Sequence, residues 1–320
     1  MTIEKRKFVT DIVAGDHVQD VFVLAEKNMA VKKDGKPFLT ITLEDKTGQI
    51  RGVVWDNVEQ ASAAAGAGDF VQVNGSAGEY RGALQLVVKS MTAVPVEKLS
   101  PADYLPTTSR NIDQMFSRLR SLTDTITTEY LKALMNSFWA DADFTNCFIH
   151  APAAKSMHHA YIGGLLEHTL SMALLADRIV GHYSGVDRDM LLVGVILHDV
   201  GKVRELGYAH RIDYTDEGRF LSHIVIGIEM VEAKIRTIEN FPSKMAMMIK
   251  HMIVSHHGVR EYGSPEPPKT IEAVLLNYID EIDSRVNAIR EFMNSETSET
   301  DWTPYHRLLE RHFYKGGNEE

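Results

Sequence analysis

The sequence predicts a multidomain chain of α and β structure: a five-stranded barrel over residues 1–95, a linker and helical connection over 96–140, an all-α domain over 141–295, and a helical extension and tail over 296–320. Three observations predict it. The first 95 residues carry short runs of β-branched and aromatic residues broken by Gly and Asp turns. Beyond Pro95 the apolar residues recur at intervals of three and four, the period of a helix. Eleven of the 14 histidines fall between His150 and His257, inside the helical part.

Strands are expected over residues 18–24, 38–43, 49–55, 70–73 and 84–88, each partly alternating between apolar and polar. Lys33-Asp34-Gly35-Lys36-Pro37 and Asp45-Lys46-Thr47-Gly48 supply turns. Residues 75–82 read as a further glycine-rich connection, and the alanine-rich stretch 58–67 reads as a short helix. Five strands with a helix after the third is the order of an OB-type barrel, a fold that binds single-stranded nucleic acid or oligosaccharide. The stretch FLTITLEDKTGQIRGVVWD resembles the second and third strands of nucleic-acid-binding OB domains. Phe22, Phe38, Trp55 and Tyr80 have two readings. They are core and edge packing, or they form, with Lys32, Arg51 and Arg81, a platform on which bases stack while cations follow the backbone. On the second reading Trp55, Tyr80, Arg51 and Arg81 bind substrate.

Residues 99–106 read as a linker, with Pro101 and Pro106 breaking any helix. Met115, Leu119 and Leu122, then Leu131, Leu134, Met135 and Phe138, mark two helices after it. Further helices are expected over 164–182, 189–198, 222–239, 244–256 and 271–293. No strand pattern of comparable strength follows Val94, and the final Gly-Gly-Asn-Glu-Glu reads as a frayed terminus.

A chain with 44% hydrophobic and 24% charged residues has the balance of an ordinary globular protein. Its formal net charge of -10 argues against a protein that coats nucleic acid through bulk electrostatics. That charge is uneven: residues 1–95 hold 11 Lys+Arg against 12 Asp+Glu, so nearly all of the excess lies beyond them. The single cysteine, Cys147, excludes an internal disulfide and a cysteine-rich zinc site, and it fits a reducing compartment. MTIEKRKFVTDIV holds no apolar stretch of signal-peptide length, and no run has the roughly 18 apolar residues of a membrane span. A cytoplasmic location with no membrane partner is expected.

His150, His182, His210 and His251 read as surface or satisfied interior histidines. Leu197-His198-Asp199-Val200-Gly201-Lys202 is different, because an apolar helix ends there at adjacent imidazole and carboxylate groups. Such a mixed N/O pair suits Mn, Fe, Co or Zn better than Ca. Gly201 lets backbone approach a ligand, and Lys202 supplies a positive charge where a phosphate oxygen would sit. His168 follows Gly163-Gly164-Leu165-Leu166-Glu167 in the first turns of a helix. His223 stands at another helix start, Ser255-His256-His257-Gly258 at a helix end, and Asp280 within a helix.

This ordered set, H, HD, H, HH, D, resembles the HD-domain superfamily of metal-dependent phosphohydrolases over residues 140–295. Together with the OB-like module, the chain resembles the YhaM-type 3'-5' exoribonucleases, in which HHAYIGGLLEHT, LHDVGK and SHHG occupy corresponding places. The resemblance implies hydrolysis of single-stranded RNA, with DNA as a second substrate, using one or two divalent ions, manganese first. It makes His168, His198, Asp199 and Asp280 the core metal ligands and gives His223 and His256 a second metal. His257 shares that role or touches phosphate, and Asp283 is the carboxylate that competes with Asp280. Asp199 would bridge the metals, and Lys202 would stabilise charge on the phosphate. His158 and His159 reach phosphate or a sugar hydroxyl, or pack a helix start.

Two departures weigh against cyclic-dinucleotide hydrolysis and a third metal. After His257 the sequence reads GVREYGSPEPP rather than Gly-Tyr-Pro, and Gly164 stands where those enzymes place a glutamate. Two other functions compete: a phosphohydrolase of nucleotides or small phosphate esters whose barrel serves assembly, and a non-catalytic nucleic-acid-binding or regulatory protein. The intact ligand set with Lys202 opposes the last, and the barrel favours the exoribonuclease. A homo-oligomer stays open.

Overall fold

The computed structural model describes residues 3–32, 34–156, 159–209, 211–296, 300–307 and 309–316. They divide into two compact units, Met1–Thr107 with Gly207–Asp213, and Thr108–Leu206 with Tyr214–Glu320.

The first unit contains β1 (His17–Val31), β2 (Pro37–Asp45), β3 (Gly48–Val54), α1 (Val58–Ala64), β4 (Phe70–Tyr80) and β5 (Ala83–Ala93). The strands close into a barrel in the order β1-β2-β3-β5-β4. Only β3 and β5 pair in parallel, with Arg51 opposite Gln85. One long strand, β1, serves two neighbours: residues 17–23 pair with β4, residues 23–31 pair with β2, and a register shift between Leu24 and Glu26 bends it from one to the other. Alternation along β2 sends Leu39, Ile41 and Leu43 inward, where they meet Phe22, Leu24, Leu86 and Val88. Full burial of such side chains stabilises by about 1.5–3 kcal/mol each. Phe22 is therefore core, not platform.

Two expectations for this unit are corrected. Residues 75–82 are not a connection, because β4 runs through to Tyr80 and only Arg81 and Gly82 turn the chain, both with positive φ (52° and 77°). Gly75 serves close approach instead: a Cβ there would lie 2.6 Å from the Val87 carbonyl oxygen. The boundary at residue 95 also moves. Leu99 and Tyr104 pack with Val21, Val23 and Phe70, so the compact unit runs on to Thr107.

The second unit is helical: α2 (Ile112–Asp124), α3 (Glu129–Trp139), α4 (Ala142–His150), α5 (Gly164–Ile179), α6 (Arg188–Leu197), α7 (Lys202–Glu205), α8 (Asp216–Ile235), α9 (Ser243–Ser255) and α10 (Ile271–Ser295). Five of these begin on a side-chain cap. Backbone N–H groups donate to Asn111, Asp141, Asp187, Thr215 and Thr270 at the starts of α2, α4, α6, α8 and α10, each worth about 1 kcal/mol. Helix α6 is buried from Asp189 to Leu197, which is why its sequence is apolar all round. The short strands β6 (Leu206–Gly207) and β7 (Asp213–Tyr214) separate α7 from α8 in the chain. Residues 296–320 were expected to be a helical extension. Among the described residues there, the regular pairings are two antiparallel bridges, Trp302 with Tyr314 and His306 with Arg311. No helix among the described residues is long and apolar enough to cross a membrane.

Candidate metal centre

The site is assembled from helix ends. Gly163, at φ 82°, opens α5, and a Cβ on Gly164 would lie 2.1 Å from the His159 carbonyl oxygen. No side chain fits at that position, which removes the glutamate ligand that a third metal would use. One turn on, His168 is buried. Its Nδ1 lies 2.8 Å from Asp283 Oδ2, and its Nε2 lies 3.4 Å from Asp280 Oδ1. The two carboxylates of α10 thus take opposite nitrogens of one ring. Asp283 also accepts from the Ser171 hydroxyl and lies 3.2 Å from His159 Nε2.

His198 caps the end of α6 and Asp199 follows it. His198 Nδ1 donates to the Val195 carbonyl at 2.7 Å, and His256 Nδ1 does the same to Ile253 at 2.7 Å. A carbonyl only accepts, so both rings carry their proton on Nδ1 and present a lone pair on Nε2. His223 is held similarly: its backbone N–H and Nδ1 both donate to Glu205 Oε1, at 2.8 and 2.9 Å. Ser222, just before it, has φ 61° and ψ 159°, a conformation otherwise nearly confined to glycine and costing about 1–3 kcal/mol. Gly201 has a different purpose from the one expected. A Cβ there would lie 2.1 Å from the His223 carbonyl oxygen, so the glycine admits the backbone of α8 rather than a ligand.

These rings surround one carboxylate. Asp199 Oδ2 lies 3.2 Å from His198 Nε2 and 3.8 Å from His168 Nε2, while Oδ1 lies 3.5 Å from His223 Nε2 and 3.7 Å from His256 Nε2. Each oxygen faces its own pair of imidazoles. His198 Nε2, His223 Nε2, His256 Nε2 and Asp199 Oδ1 are buried with no hydrogen-bond partner. Leaving such atoms unsatisfied costs about 1–3 kcal/mol each. Three imidazole lone pairs around a carboxylate with an unsatisfied oxygen of its own call for a cation, and imidazole with carboxylate is a donor set for a divalent transition metal. His168, His198 and Asp280 offer ligand atoms within 4.8 Å of one another, as do His223, His256 and His257. The residues fit such an ion.

Lys202 opens α7 with its Nζ 2.6 Å from Asp199 Oδ2. Burial would raise the Asp199 carboxyl pKa, but the Lys202 charge and the neighbouring imidazoles hold it well below the usual range. Burial would likewise lower the Lys202 pKa, and Asp199 raises it instead. Burial opposes protonation of His168, yet hydrogen bonds to Asp280 and Asp283 raise its pKa to about 9. Burial and the neighbouring His198 and His257 push His256 the other way, well below the ordinary imidazole value, which keeps it a neutral donor.

The structure thus gathers His168, His198, Asp199, His223, His256, His257, Asp280 and Lys202. His159 stands behind this set, in a separate buried group whose ligand atoms, with those of His168 and Asp283, lie within 4.8 Å of one another. That ring is 2% exposed, turned behind His168 onto Asp283 and the Tyr161 hydroxyl, so the expected contact with substrate is corrected to an interior position. His158 lies outside the described residues. On the barrel, Arg51 lines a cleft with Asn28, Thr40, Thr42 and Gln85. Trp55 is half-exposed, stacked on Phe38 with ring centres 5.0 Å apart, and Lys32 Nζ stands 4.6 Å from its ring. Exposed Tyr80 carries Arg81 5.3 Å from its ring centre. Glu205 was missed altogether, because nothing in its spacing separates it from the solvent-facing acids nearby.

Comparisons with known proteins agree with both units. The HD domain family matches residues 165–285, and a family described as an OB-fold nucleic acid binding domain matches residues 24–94. An HD domain implies dependence on a divalent metal. The 3'-5' exoribonuclease YhaM of Geobacillus sp. is 32% identical over 97% of this chain and 95% of its own length. YhaM of Bacillus subtilis is 33% identical over 85% of this chain and 86% of its own, and that of Listeria monocytogenes 34% over 89% and 90%. Identity at this level across both units shows that the chain belongs to the YhaM family of 3'-5' exoribonucleases.

Proposed function

We propose that this protein is a cytoplasmic, manganese-dependent 3'-5' exoribonuclease of single-stranded RNA, with a catalytic centre on Asp199. The observation that carries the reading is the set of buried imidazole lone pairs facing both oxygens of that one carboxylate. His168, His198 and Asp280 would hold an ion on the Oδ2 side, and His223, His256 and His257 one on the Oδ1 side, with Asp199 common to both. Imidazole donors in this number favour a transition metal over calcium or magnesium, and the carboxylates of Asp199 and Asp280 bring manganese within that range. When bound, such ions supply Lewis acidity, which activates water at neutral pH and neutralises phosphate charge.

The protein's own groups do the rest. Glu205, Asp283 and the Val195 and Ile253 carbonyls fix the ring orientations, so little reorganisation accompanies reaction. Lys202 places an ammonium beside the non-bridging phosphate oxygens. Hydrolysis joins a water oxygen to phosphorus and breaks the bond from phosphorus to O3' of the preceding nucleotide. One water proton ends on that O3', releasing a nucleoside 5'-monophosphate and a strand shorter by one. The barrel contributes affinity for single strands through Trp55 and Tyr80, with Arg51 and Arg81 following the phosphates.

The test is a 5'-labelled single-stranded RNA incubated with the protein and manganese. A ladder shortening from the 3' end, abolished by chelator, is expected. Loss of the 5' label as mononucleotide at the first time points would reverse the polarity and overturn the reading.

A further inference from the structure

Next to the metal centre lies a cleft of about 360 Å³, at the small end of the range of about 300–1,000 Å³ for ligand pockets. One wall is the turn after α9, with His257, Val259 and Tyr262. The other is a face of α10 on which Asn277, Asp280, Glu281 and Ser284 recur at helical spacing, with Tyr278 beside them. Two wall residues, His257 and Asp280, belong to the metal centre as well. An occupant of the cleft therefore has one end at the phosphate-cleaving site.

The lining chemistry says what the rest of that occupant is. Tyr262 and Tyr278 are 69% and 57% exposed, too open to be core and suited to stacking on a planar ring. His257 Nδ1 donates to the Tyr262 carbonyl at 3.1 Å, tying the tyrosine turn to the centre. Among the described residues that line the cleft there is no Lys or Arg, so it is not built for phosphate. It carries the Glu281 carboxylate, which pairs with Arg285 one turn on at 2.5 Å and keeps lone pairs to accept further donors. An aromatic base at one point, hydroxyl donors at another and no phosphate beyond them describe the last nucleoside of a strand with a free 3' end.

Resting on the exoribonuclease reading above, we infer that this cleft is the subsite for the 3'-terminal nucleoside, with Tyr262 and Tyr278 stacking the base and Glu281 accepting from the terminal ribose hydroxyls. The subsite selects ribose over deoxyribose at the last position. It also repels a 3'-phosphate, since a second negative charge would face Glu281.

Three RNAs identical except at the last residue test this: 3'-hydroxyl ribose, 2'-deoxyribose with a 3'-hydroxyl, and ribose with a 3'-phosphate. The unaltered enzyme with manganese should show kcat/KM about ten- to a hundredfold lower on the second and third, the size of a lost hydrogen bond to a charged group. Glu281→Ala, which removes both the acceptor and the charge, should bring the three together. Tyr262→Ala and Tyr278→Ala should each raise KM about tenfold on the first, with circular dichroism and Tm unchanged because both side chains are exposed. Unaltered discrimination in Glu281→Ala overturns the ribose assignment. A Tyr278→Ala enzyme that keeps its KM but sediments as a smaller species overturns the base-stacking assignment and would make this face of α10 a contact between copies. Failure of the unaltered enzyme to shorten the 3'-hydroxyl RNA removes the exoribonuclease reading and this subsite together, whereas shortening without discrimination removes the subsite alone.

Discussion

Asp280 and Asp283 stand one turn apart on α10, and their distances to His168 divide their work. Asp280 lies on the Nε2 side, grouped with His168 and His198 in the proposed ligand set, while Asp283 takes Nδ1 and is itself held by Ser171 and His159. Asp283→Asn should keep the number of manganese ions bound and lower their affinity about 10–100-fold, the usual effect of losing a partner behind a ligating histidine. Asp280→Ala should instead lose an ion. Calorimetric titration with manganese separates the two, and a reduced stoichiometry in Asp283→Asn would contradict the assignment. Sequence spacing could not separate them, because residues three apart share a helix side and only depth of burial distinguishes them. The proposed ligands His198, Asp199, His256 and His257 stand out in the sequence for the opposite reason: adjacent polar groups at the end of an apolar helix are not explained by packing.

At the scale of elements, two contacts position the centre and each can be challenged. Gly201→Ala would set a methyl 2.1 Å from the His223 carbonyl and 2.7 Å from Gly227 N, both backbone atoms that cannot rotate away. Urea unfolding should show a loss of at least about 1–3 kcal/mol. A variant as stable as the unaltered chain would mean that α7 and α8 can part freely. At the other end of α6, Asp189 Oδ2 accepts from the backbone N–H and hydroxyl groups of both Thr127 and Thr128 at 2.9–3.0 Å. Burial would raise that carboxyl's pKa, and these hydrogen bonds bring it below the ordinary value instead. Its stabilising effect is therefore complete above the unfolded pKa of about 3.9 and is lost as pH falls through the lower folded value. Asp189→Asn should cost about 1.5–3 kcal/mol at pH 7, with the difference closing below about pH 4. A difference constant with pH would show that charge plays no part. Helix α4 escaped the sequence reading although Asp141 caps it, because its nine residues give too few apolar repeats to set a period. The kink at Ser222 escaped too: nothing about a serine announces a glycine-like backbone.

For the whole molecule, the division into barrel and helical unit was visible in the change of period near Pro95. Its position was not, since Leu99 and Tyr104 read as linker while packing on barrel residues. The tail misled for a related reason, its few apolar residues forming bridges rather than a helix face. If the barrel feeds single strands by stacking, Trp55→Ala should raise KM for long RNA by about tenfold and leave KM for a dinucleotide little changed. Equal effects on both lengths would assign the barrel a structural role. The account rests most heavily on Asp199 as the group common to both halves of the centre. Its direct test is the rate of 3' shortening of a 5'-labelled RNA by Asp199→Ala with saturating manganese, alongside circular dichroism to establish that the helices remain. We predict a folded protein with no detectable shortening; a folded Asp199→Ala protein that still trims RNA would contradict the account.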